Sequence, residues 1–133
     1  MKLLLDTHAL LWAIIDPEQL SPAARSAITD PAAQVAVSAV SFWEIAIKSA
    51  LGKLTLTGIT PEALVDAAQQ QGFDLLSLGP RLAASFTRLP PDPLHRDPFD
   101  RMLVWQAISH GYTLVSRDRK ITSNQHTGLR VLW

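Results

Sequence analysis

The stretch KLLLDTHALLWAII, residues 2–15, decides the fold class, because its hydrophobic pattern changes in the middle. KLLLD is a short continuous apolar run, which is typical of a strand buried on both faces of a sheet. HALLWAII places its apolar residues at the spacing of a helix that packs on one side. A buried strand followed directly by a helix predicts the start of a parallel βαβ unit.

The same alternation continues along the chain. Ser21 before Pro22 and Thr60 before Pro61 predict helix starts, since a hydroxyl residue caps a helix and proline suits its first position. Further helices are predicted over SFWEIAIKSALG, PRLAASFTRL and DPFDRMLVWQA, and further strands over AQVAVSA, FDLLSL, YTLVS and LRVLW. We therefore expect one α/β domain over residues 1–133, with a mainly parallel central sheet flanked by helices on both faces.

Composition narrows the class of function. The chain has no cysteine, which excludes disulfides, thiolate catalysis and cysteine-ligated zinc. Twelve basic residues balance twelve acidic ones, so any contact with nucleic acid has to be local. No apolar run reaches the roughly 20 residues of a membrane span, and Asp6 interrupts the N-terminal run too early for a secretory signal. A cytoplasmic protein without membrane contact is expected.

Four acidic residues are predicted to meet at one edge of the sheet. Asp6 and Asp118 end two predicted strands, while Glu44 and Asp100 lie in the predicted first turns of two helices. In open parallel sheets, ligands bind outside the carboxyl ends of the strands, where helix N-termini also gather. Four clustered carboxylates raise one another's pKa values unless a cation compensates, and oxygen-only ligands suit Mg²⁺ or Mn²⁺.

Each acid taken alone also has an ordinary structural explanation. Ser41 and Glu44 fit the Ser-x-x-Glu capping box, in which Ser41 is the N-cap and Glu44 the third helical residue. Asp6 could cap the helix that follows it, and Asp118 could shape a turn. The conjunction of the four acids, rather than any one of them, favours a metal site.

The helix that begins at Pro98 separates two aspartates by role. Asp97 is its predicted N-cap, and Asp100 is its third residue. Asp100 is therefore expected at the same position in its helix, the third, as Glu44 in its own helix. An N-cap side chain is turned onto the amides of its own helix, so Asp97 is expected to reach a metal at most through a bridging water.

A carboxylate cluster that holds divalent ions suits hydrolysis of phosphodiester bonds. One ion can lower the pKa of a bound water, and a second can stabilise the leaving oxygen. Five of the twelve basic residues lie beside the last two acidic motifs and are candidates for binding phosphate: Arg96, Arg101, Arg117, Arg119 and Lys120.

Four segments, LLLDTHALLW, SFWEIAIK, HRDPFDRMLVWQA and LVSRD, occur in this order over nearly the whole chain. In this combination they resemble the acidic motifs of PIN-domain ribonucleases, specifically the VapC-type toxins of bacterial toxin–antitoxin systems. Trp105 is bulkier than the small residues expected inside the third motif, and Ser116 stands where threonine is common. Neither departure removes an acid.

The resemblance implies a Mg²⁺-dependent endoribonuclease, with Mn²⁺ as a substitute, that cleaves RNA, forms a homodimer and is neutralised by a VapB-like antitoxin. It implies that the catalytic residues are Asp6, Glu44, Asp100 and Asp118. Asp6 and Asp100 are expected to bind the metal directly, and Glu44 and Asp118 directly or through water. Auxiliary candidates are Asp97, Ser116 and Arg117.

Histidines and tryptophans near these motifs are expected to have ordinary roles. His8 and His95 flank acidic motifs, but a lone histidine is more often a hydrogen-bonding or surface residue than a proton-transfer group. Four tryptophans could stack on RNA bases, yet helical spacing within apolar segments predicts that they belong to the core: Trp12, Trp43, Trp105 and Trp133.

Two alternatives remain open at the level of sequence. The chain could be a noncatalytic α/β module for RNA binding or protein interaction, whose acids serve only caps and turns. A phosphoacceptor receiver domain also uses clustered aspartates and Mg²⁺, but it expects adjacent acids after the first strand, where LLLDTH offers one.

Overall fold

The structure, a computed structural model, describes residues 1–133 except for the side chains of residues 125 and 126. Its centre is a five-stranded sheet in which every neighbouring pair of strands is parallel. The strand order is β3-β2-β1-β4-β5. The strands are β1 (Lys2–Leu5), β2 (Gln34–Ser38), β3 (Asp74–Leu76), β4 (Thr113–Val115) and β5 (Arg130–Leu132).

Helices connect the strands. They are α1 (Thr7–Ile15), α2 (Pro22–Thr29), α3 (Ala39–Ala50), α4 (Pro61–Gln70), α5 (Pro80–Ala84), α6 (Pro98–His110) and α7 (Arg119–Thr122), with 3-10 turns at Pro17–Gln19, Ser85–Arg88 and Ser123–Thr127. Ser21 and Thr60 cap α2 and α4 with their side chains, as predicted. No helix in the described part of the chain is long and apolar enough to cross a membrane.

The central strand β1 is buried on both faces, which the apolar run KLLLD predicts. Leu3 and Leu5 contact a hydrophobic cluster that includes residues of α1 and α4. Leu4 points to the opposite face, into a second cluster built largely from α6. Because side chains alternate between the faces of a strand, three consecutive leucines require helices on both sides. The predicted α/β class with a parallel sheet is confirmed.

The predicted helix PRLAASFTRL is shorter in the structure. Regular α-helix ends at Ala84, and Ser85–Arg88 forms a 3-10 turn. The Ser85 hydroxyl donates to the carbonyl of Leu82 at 2.7 Å and accepts from the indole of Trp105 at 3.0 Å. A serine bonded back to its own helix competes with the regular pattern, and the indole holds it in that state. The bulky Trp105 is thereby accommodated, half-buried, between α6 and this turn.

Candidate active site

Asp6 and Asp118 lie at the carboxyl ends of the adjacent strands β1 and β4. Asp6 caps α1, because its Oδ1 accepts from the amide of Ala9 at 2.8 Å. Asp118 caps α7 in the same way, accepting from the amide of Lys120 at 2.9 Å. The capping role predicted for Asp6 is confirmed, while Asp118, predicted to shape a turn, caps a short helix. The topology nevertheless brings the two carboxylates to one edge of the sheet.

Ser116 joins these two acids. It is buried, its hydroxyl accepts from the amide of Asp118 at 3.0 Å, and it is hydrogen-bonded to the side chain of Asp6. Burial raises the pKa of the Asp6 carboxyl above its usual range, although the bonds from Ser116 and from the amide of Ala9 act in the opposite direction. The Ser116 hydroxyl thus contacts both acids, Asp6 at its carboxylate and Asp118 at its backbone amide.

The position predicted for Glu44 is wrong. The helix α3 begins at Ala39 and is capped by Ser38, whose hydroxyl accepts from the amide of Val40 at 3.0 Å. Ser41 is therefore the third helical residue rather than the N-cap, and Glu44 is the sixth, beyond the first turn. The capping box does not form, because β2 runs into α3 without a loop and the last strand residue supplies the cap.

Glu44 joins the acidic site through its side-chain contacts and not through a position in the first turn of α3. Its side chain is buried, and its Oε1 accepts from the hydroxyl of Thr7 at 2.6 Å. Its Oε2 forms an ion pair with Lys48, one turn further along α3. Thr7 directly follows Asp6, so this bond ties Glu44 to the capped start of α1. Both oxygens of Glu44 have partners within the protein.

The two aspartates at the start of α6 occupy the helix positions predicted for them. Asp97 is the N-cap, and its Oδ1 accepts from the amides of Phe99 at 2.9 Å and Asp100 at 3.3 Å. Asp100 is the third residue of the helix, with 20% of its side chain exposed. The predicted equivalence of Asp100 with Glu44 is wrong, because Glu44 lies three residues further into its own helix.

The pKa of Asp100 reports how the acids are arranged. Burial and the surrounding negative charges raise this pKa to about 7. After burial, the contributing charges are, in decreasing order, those of Asp97, Glu44, Asp6 and Asp118. All four sequence-predicted acids, together with Asp97, are thus close enough to interact at one place. Such a centre is unfavourable when every carboxylate is ionised, and a cation would relieve it.

The acids do not form an assembled metal site. Among the side chains that the structure describes, no group of three or more histidines, aspartates or glutamates is arranged to hold a metal ion. The chemistry of the donors still fits a divalent cation, because the donors are all carboxylate oxygens and Asp100 carries an unfavourable charge. The acids therefore fit a divalent cation by their negative charge and by the type of ligand atom.

His95 is the residue that sequence reasoning undervalued. It lies in the loop before α6 but is 1% exposed, and its Nε2 is 3.5 Å from Oδ2 of Asp100. Its Nδ1 contacts Nδ2 of Asn124 at 3.1 Å. The sequence signal was its position five residues before Asp100, but no periodic pattern predicts that a loop histidine is buried. Burial lowers the pKa of His95, which favours the neutral ring.

The predicted basic rim is only partly correct. Arg101 is 5% exposed and donates to Oδ1 of Asn124 at 2.9 Å and to the carbonyl of Pro90, so it is a structural residue and not a phosphate ligand. The other four candidates are exposed: Arg96, Arg117, Arg119 and Lys120. Arg101 differs because it points from α6 into the protein, where carbonyl oxygens take up its donors.

Two neighbouring clefts open beside the acids. One, of about 200 Å³, is lined by Asp6, Asp118, His8, Trp12 and Arg117, with the guanidinium of Arg117 lying 4.7 Å from the centre of the Trp12 ring. The other, of about 310 Å³, shares His8 and is lined at its polar side by residues that include Thr7, Glu44, Lys48 and Lys53. Each cleft is therefore lined by both acidic and basic side chains.

Trp43 is not a core residue, contrary to prediction. It is 62% exposed and meets the ring of Phe99 edge-on, with 5.4 Å between the ring centres. Trp43 lies in α3 and Phe99 in α6, so this ring contact joins the two helices that carry Glu44 and Asp100. The other three tryptophans are half-buried against the hydrophobic clusters, in agreement with prediction: Trp12, Trp105 and Trp133.

Comparison with known proteins gives consistent results. Residues 3–125 match the family model of the PIN domain. Ribonuclease VapC22 of Mycobacterium tuberculosis is 32% identical over 130 residues, which cover 98% of this chain and 97% of that protein.

Solved structures share the fold. The crystal structure of VapBC2 from Rickettsia felis bound to a DNA fragment from its promoter matches with a TM-score of 0.72 at 14% identity, covering 99% of this chain and 98% of that one. The structure of VapBC-1 from nontypeable Haemophilus influenzae matches with a TM-score of 0.63 at 17% identity, covering 99% and 97%. At such identities these two matches establish the fold alone.

Proposed function

The chain belongs to the PIN-domain family and is a VapC homologue, and from that premise we propose that it is a Mg²⁺-dependent endoribonuclease, the toxin of a toxin–antitoxin pair. The observation that carries the proposal is that the adjacent strands β1 and β4 bring Asp6 and Asp118 to one cleft, close to Asp100, whose pKa burial and four neighbouring carboxylates raise to about 7. The mutual repulsion of these carboxylates costs stability, whereas a cation-dependent nuclease requires such a cluster.

Asp6 and Asp100 would hold the divalent ion directly, with Glu44 and Asp118 contributing directly or through water. The engagement of both Glu44 oxygens by Thr7 and Lys48 favours the water-mediated role for this residue. When bound, Mg²⁺ or Mn²⁺ supplies an acidified water and offsets charge on the phosphate.

Other side chains of the site hold the acids in position, add charge or contact the substrate. Thr7 and Ser116 hold Glu44 and Asp6 by their hydroxyls, so these two side chains are positioned before a cation arrives. Asp97 is bonded to its own helix, and it acts on the site by its charge. Arg117 lines the cleft that contains Asp6 and Asp118 and is proposed to bind an RNA phosphate.

Cleavage of RNA by the purified protein tests the proposal. Total cellular RNA with mapped 5′ ends should be cut in Mg²⁺ or Mn²⁺ and left intact in EDTA. Asp100→Asn should abolish cleavage without loss of the fold. Asp66→Asn, which changes an exposed acid of α4 that does not contribute to the pKa shift of Asp100, is the matched control. Equal cleavage with and without EDTA would refute the metal-dependent mechanism.

The proposed protein partner is a VapB-like antitoxin, as the structural neighbours are VapBC complexes. A pocket that suits a cation also suits a guanidinium, which bonds carboxylates in a bidentate manner. The antitoxin is therefore proposed to place an arginine or lysine near Asp6 and Asp100. Replacing that residue should weaken inhibition more than complex formation, and inhibition unchanged by every such replacement would exclude this mode of inhibition.

The proposed assembly is a homodimer that acts on RNA in the cytoplasm. Sedimentation of the purified chain tests the dimer, and a monomer at micromolar concentration would contradict it.

A noncatalytic RNA-binding or protein-interaction module is the second candidate. The observation in its favour is that Asp6, Asp97 and Asp118 all cap helices. Such a module would bind RNA or a protein partner but leave RNA uncut in every metal.

A further inference from the structure

The side chain of Asn124 can adopt only one orientation between its neighbours. A guanidinium has donors and no acceptor, so Arg101 must face the amide oxygen of Asn124, which accepts from it at 2.9 Å. The amide nitrogen then points the other way. It donates to the carbonyl of Lys120 at 3.0 Å and lies 3.1 Å from Nδ1 of His95. Arg101 and the Lys120 carbonyl together exclude the flipped amide.

This orientation determines where the neutral ring of His95 carries its proton. Because Asn124 presents a donor to Nδ1, that nitrogen must accept and cannot carry hydrogen. The single ring proton is therefore on Nε2. Nε2 is the nitrogen that faces Oδ2 of Asp100 at 3.5 Å. The buried histidine presents an N–H group to the carboxylate of the site.

The network begins and ends on one helix. Arg101 follows Asp100 in α6, and the contacts run from Arg101 through Asn124 and His95 back to Asp100. Arg101 is itself held by the carbonyl of Pro90. The backbone of α6 therefore fixes both ends, and a change of tautomer at His95 requires another member to lose a bond.

We propose that Arg101 and Asn124 set the tautomer of His95, and that His95 is a positioning residue that orients the Asp100 carboxylate for a cation. The inference rests on the proposed function for its catalytic consequence, but the tautomer itself does not. The long 3.5 Å contact aims the N–H dipole at Asp100 without occupying it as tightly as a short bond would. Partners of this kind, behind a metal ligand, commonly change metal affinity or activity when removed.

The tautomer is measured by two-bond ¹H–¹⁵N correlation spectra of the metal-free protein with labelled histidine. The His95 signals are identified by their disappearance in His95→Gln. We expect a protonated Nε2 in the wild-type protein. Asn124→Asp places only acceptors beside Nδ1 and should move the proton to Nδ1. Asn124→Leu removes the donor without adding charge and should populate both forms. A wild-type ring protonated on Nδ1, or a tautomer unchanged in both variants, would overturn the proposal.

The consequence for Asp100 is measured as Mn²⁺ affinity and as cleavage. His95→Phe and Asn124→Asp should each lower kcat or Mn²⁺ affinity by about 10- to 100-fold with little change in KM for RNA. His95→Gln retains an N–H donor and should recover part of the loss. His110→Gln, an exposed histidine at the end of α6, is the matched control and should behave as wild type.

Equal losses in the Phe and Gln variants would overturn the positioning role. If the wild-type protein cuts no RNA at all, the proposed function fails, while the tautomer and the Mn²⁺ affinity still decide the inference.

Discussion

The hydroxyl of Thr7 donates to Oε1 of Glu44 at 2.6 Å, joining the first residue of α1 to the sixth residue of α3. The same hydroxyl lies 3.1 Å from that of Ser41. Since Thr7 follows Asp6, this buried contact fixes the distance between two acids that are 38 positions apart in sequence. A residue that is not itself an acid therefore helps to assemble the acidic centre.

Thr7→Val tests this role, because valine keeps the size of the side chain and removes the donor. The buried carboxylate of Glu44 would lose one partner, and the free energy of unfolding should fall by about 1–3 kcal/mol. Cleavage should fall as well, since Glu44 is freed to move. Urea denaturation and RNA cleavage are the measurements. Thr7→Ser retains the hydroxyl and should stay close to wild type in both.

Asp97→Ser and Asp100→Asn should separate the two aspartates of α6. Serine preserves a capping oxygen, so Asp97→Ser should cost under about 1 kcal/mol and leave cleavage largely intact. It also removes the neighbouring charge that raises the pKa of Asp100 the most. Asp100→Asn should fold normally and be inactive.

With equal metal loading and one RNA substrate, an inactive Asp97 variant beside an active Asp100 variant would reverse the assignment. If Asp97 acts through a bridging water, excess Mg²⁺ should restore activity only to Asp97→Ser.

The pH dependence of stability should carry the signature of Asp100. Its pKa is raised to about 7 in the folded protein, so the folded state retains a proton that the unfolded state has already released. The stabilisation is present at lower pH and is lost as the pH rises through about 7. Between pH 6.5 and 8 the metal-free protein should lose about 0.8 kcal/mol relative to Asp100→Asn. Parallel curves for the two proteins, from urea titrations in EDTA, would contradict the raised pKa.

Divalent metal should stabilise the folded protein. A ligand at ten times its Kd adds about 1.4 kcal/mol to the free energy of unfolding if it binds only the folded state. Mg²⁺ or Mn²⁺ should therefore raise Tm at pH 7.5, and EDTA should reverse the rise. Asp6→Asn and Asp100→Asn should abolish the effect, whereas Asp66→Asn should keep it. An unchanged Tm at millimolar metal would argue against the cation site.

Trp43→Ala should weaken the binding of single-stranded RNA. The ring is exposed beside Glu44 and is supported by Phe99, and stacking on an aromatic ring contributes about 1–3 kcal/mol per base. The affinity for an adenosine 12-mer, measured in the Asp100→Asn background to prevent cleavage, should fall about 5- to 150-fold. Leu51→Ala, at an equally exposed apolar residue just after α3, is the control. Equal losses in both variants would indicate a general apolar effect instead of stacking.

Local patterns in the sequence were sufficient for the types of the elements and for the edge of the sheet where the acids meet. The run of three leucines in β1, the cap at Ser21 and the aspartate pair of α6 depend on interactions within a few residues. Parallel topology then places the residues that follow β1 and β4 side by side. These features are readable because hydrophobic periodicity and helix capping act over short separations.

Tertiary contacts decided the details of the site. Ser38 and Ser41 are both serines that could cap α3. Because β2 ends at Ser38 and leads directly into α3, Ser38 is the cap, and Glu44 lies beyond the first turn. Arg101 and His95 are buried because Asn124, 23 and 29 positions away, supplies their partners. Trp43 remains exposed because the edge-on contact with the ring of Phe99 covers only part of its side chain. Burial, and with it the pKa of Asp100, depends on atoms distant in sequence, so no local pattern carries that information.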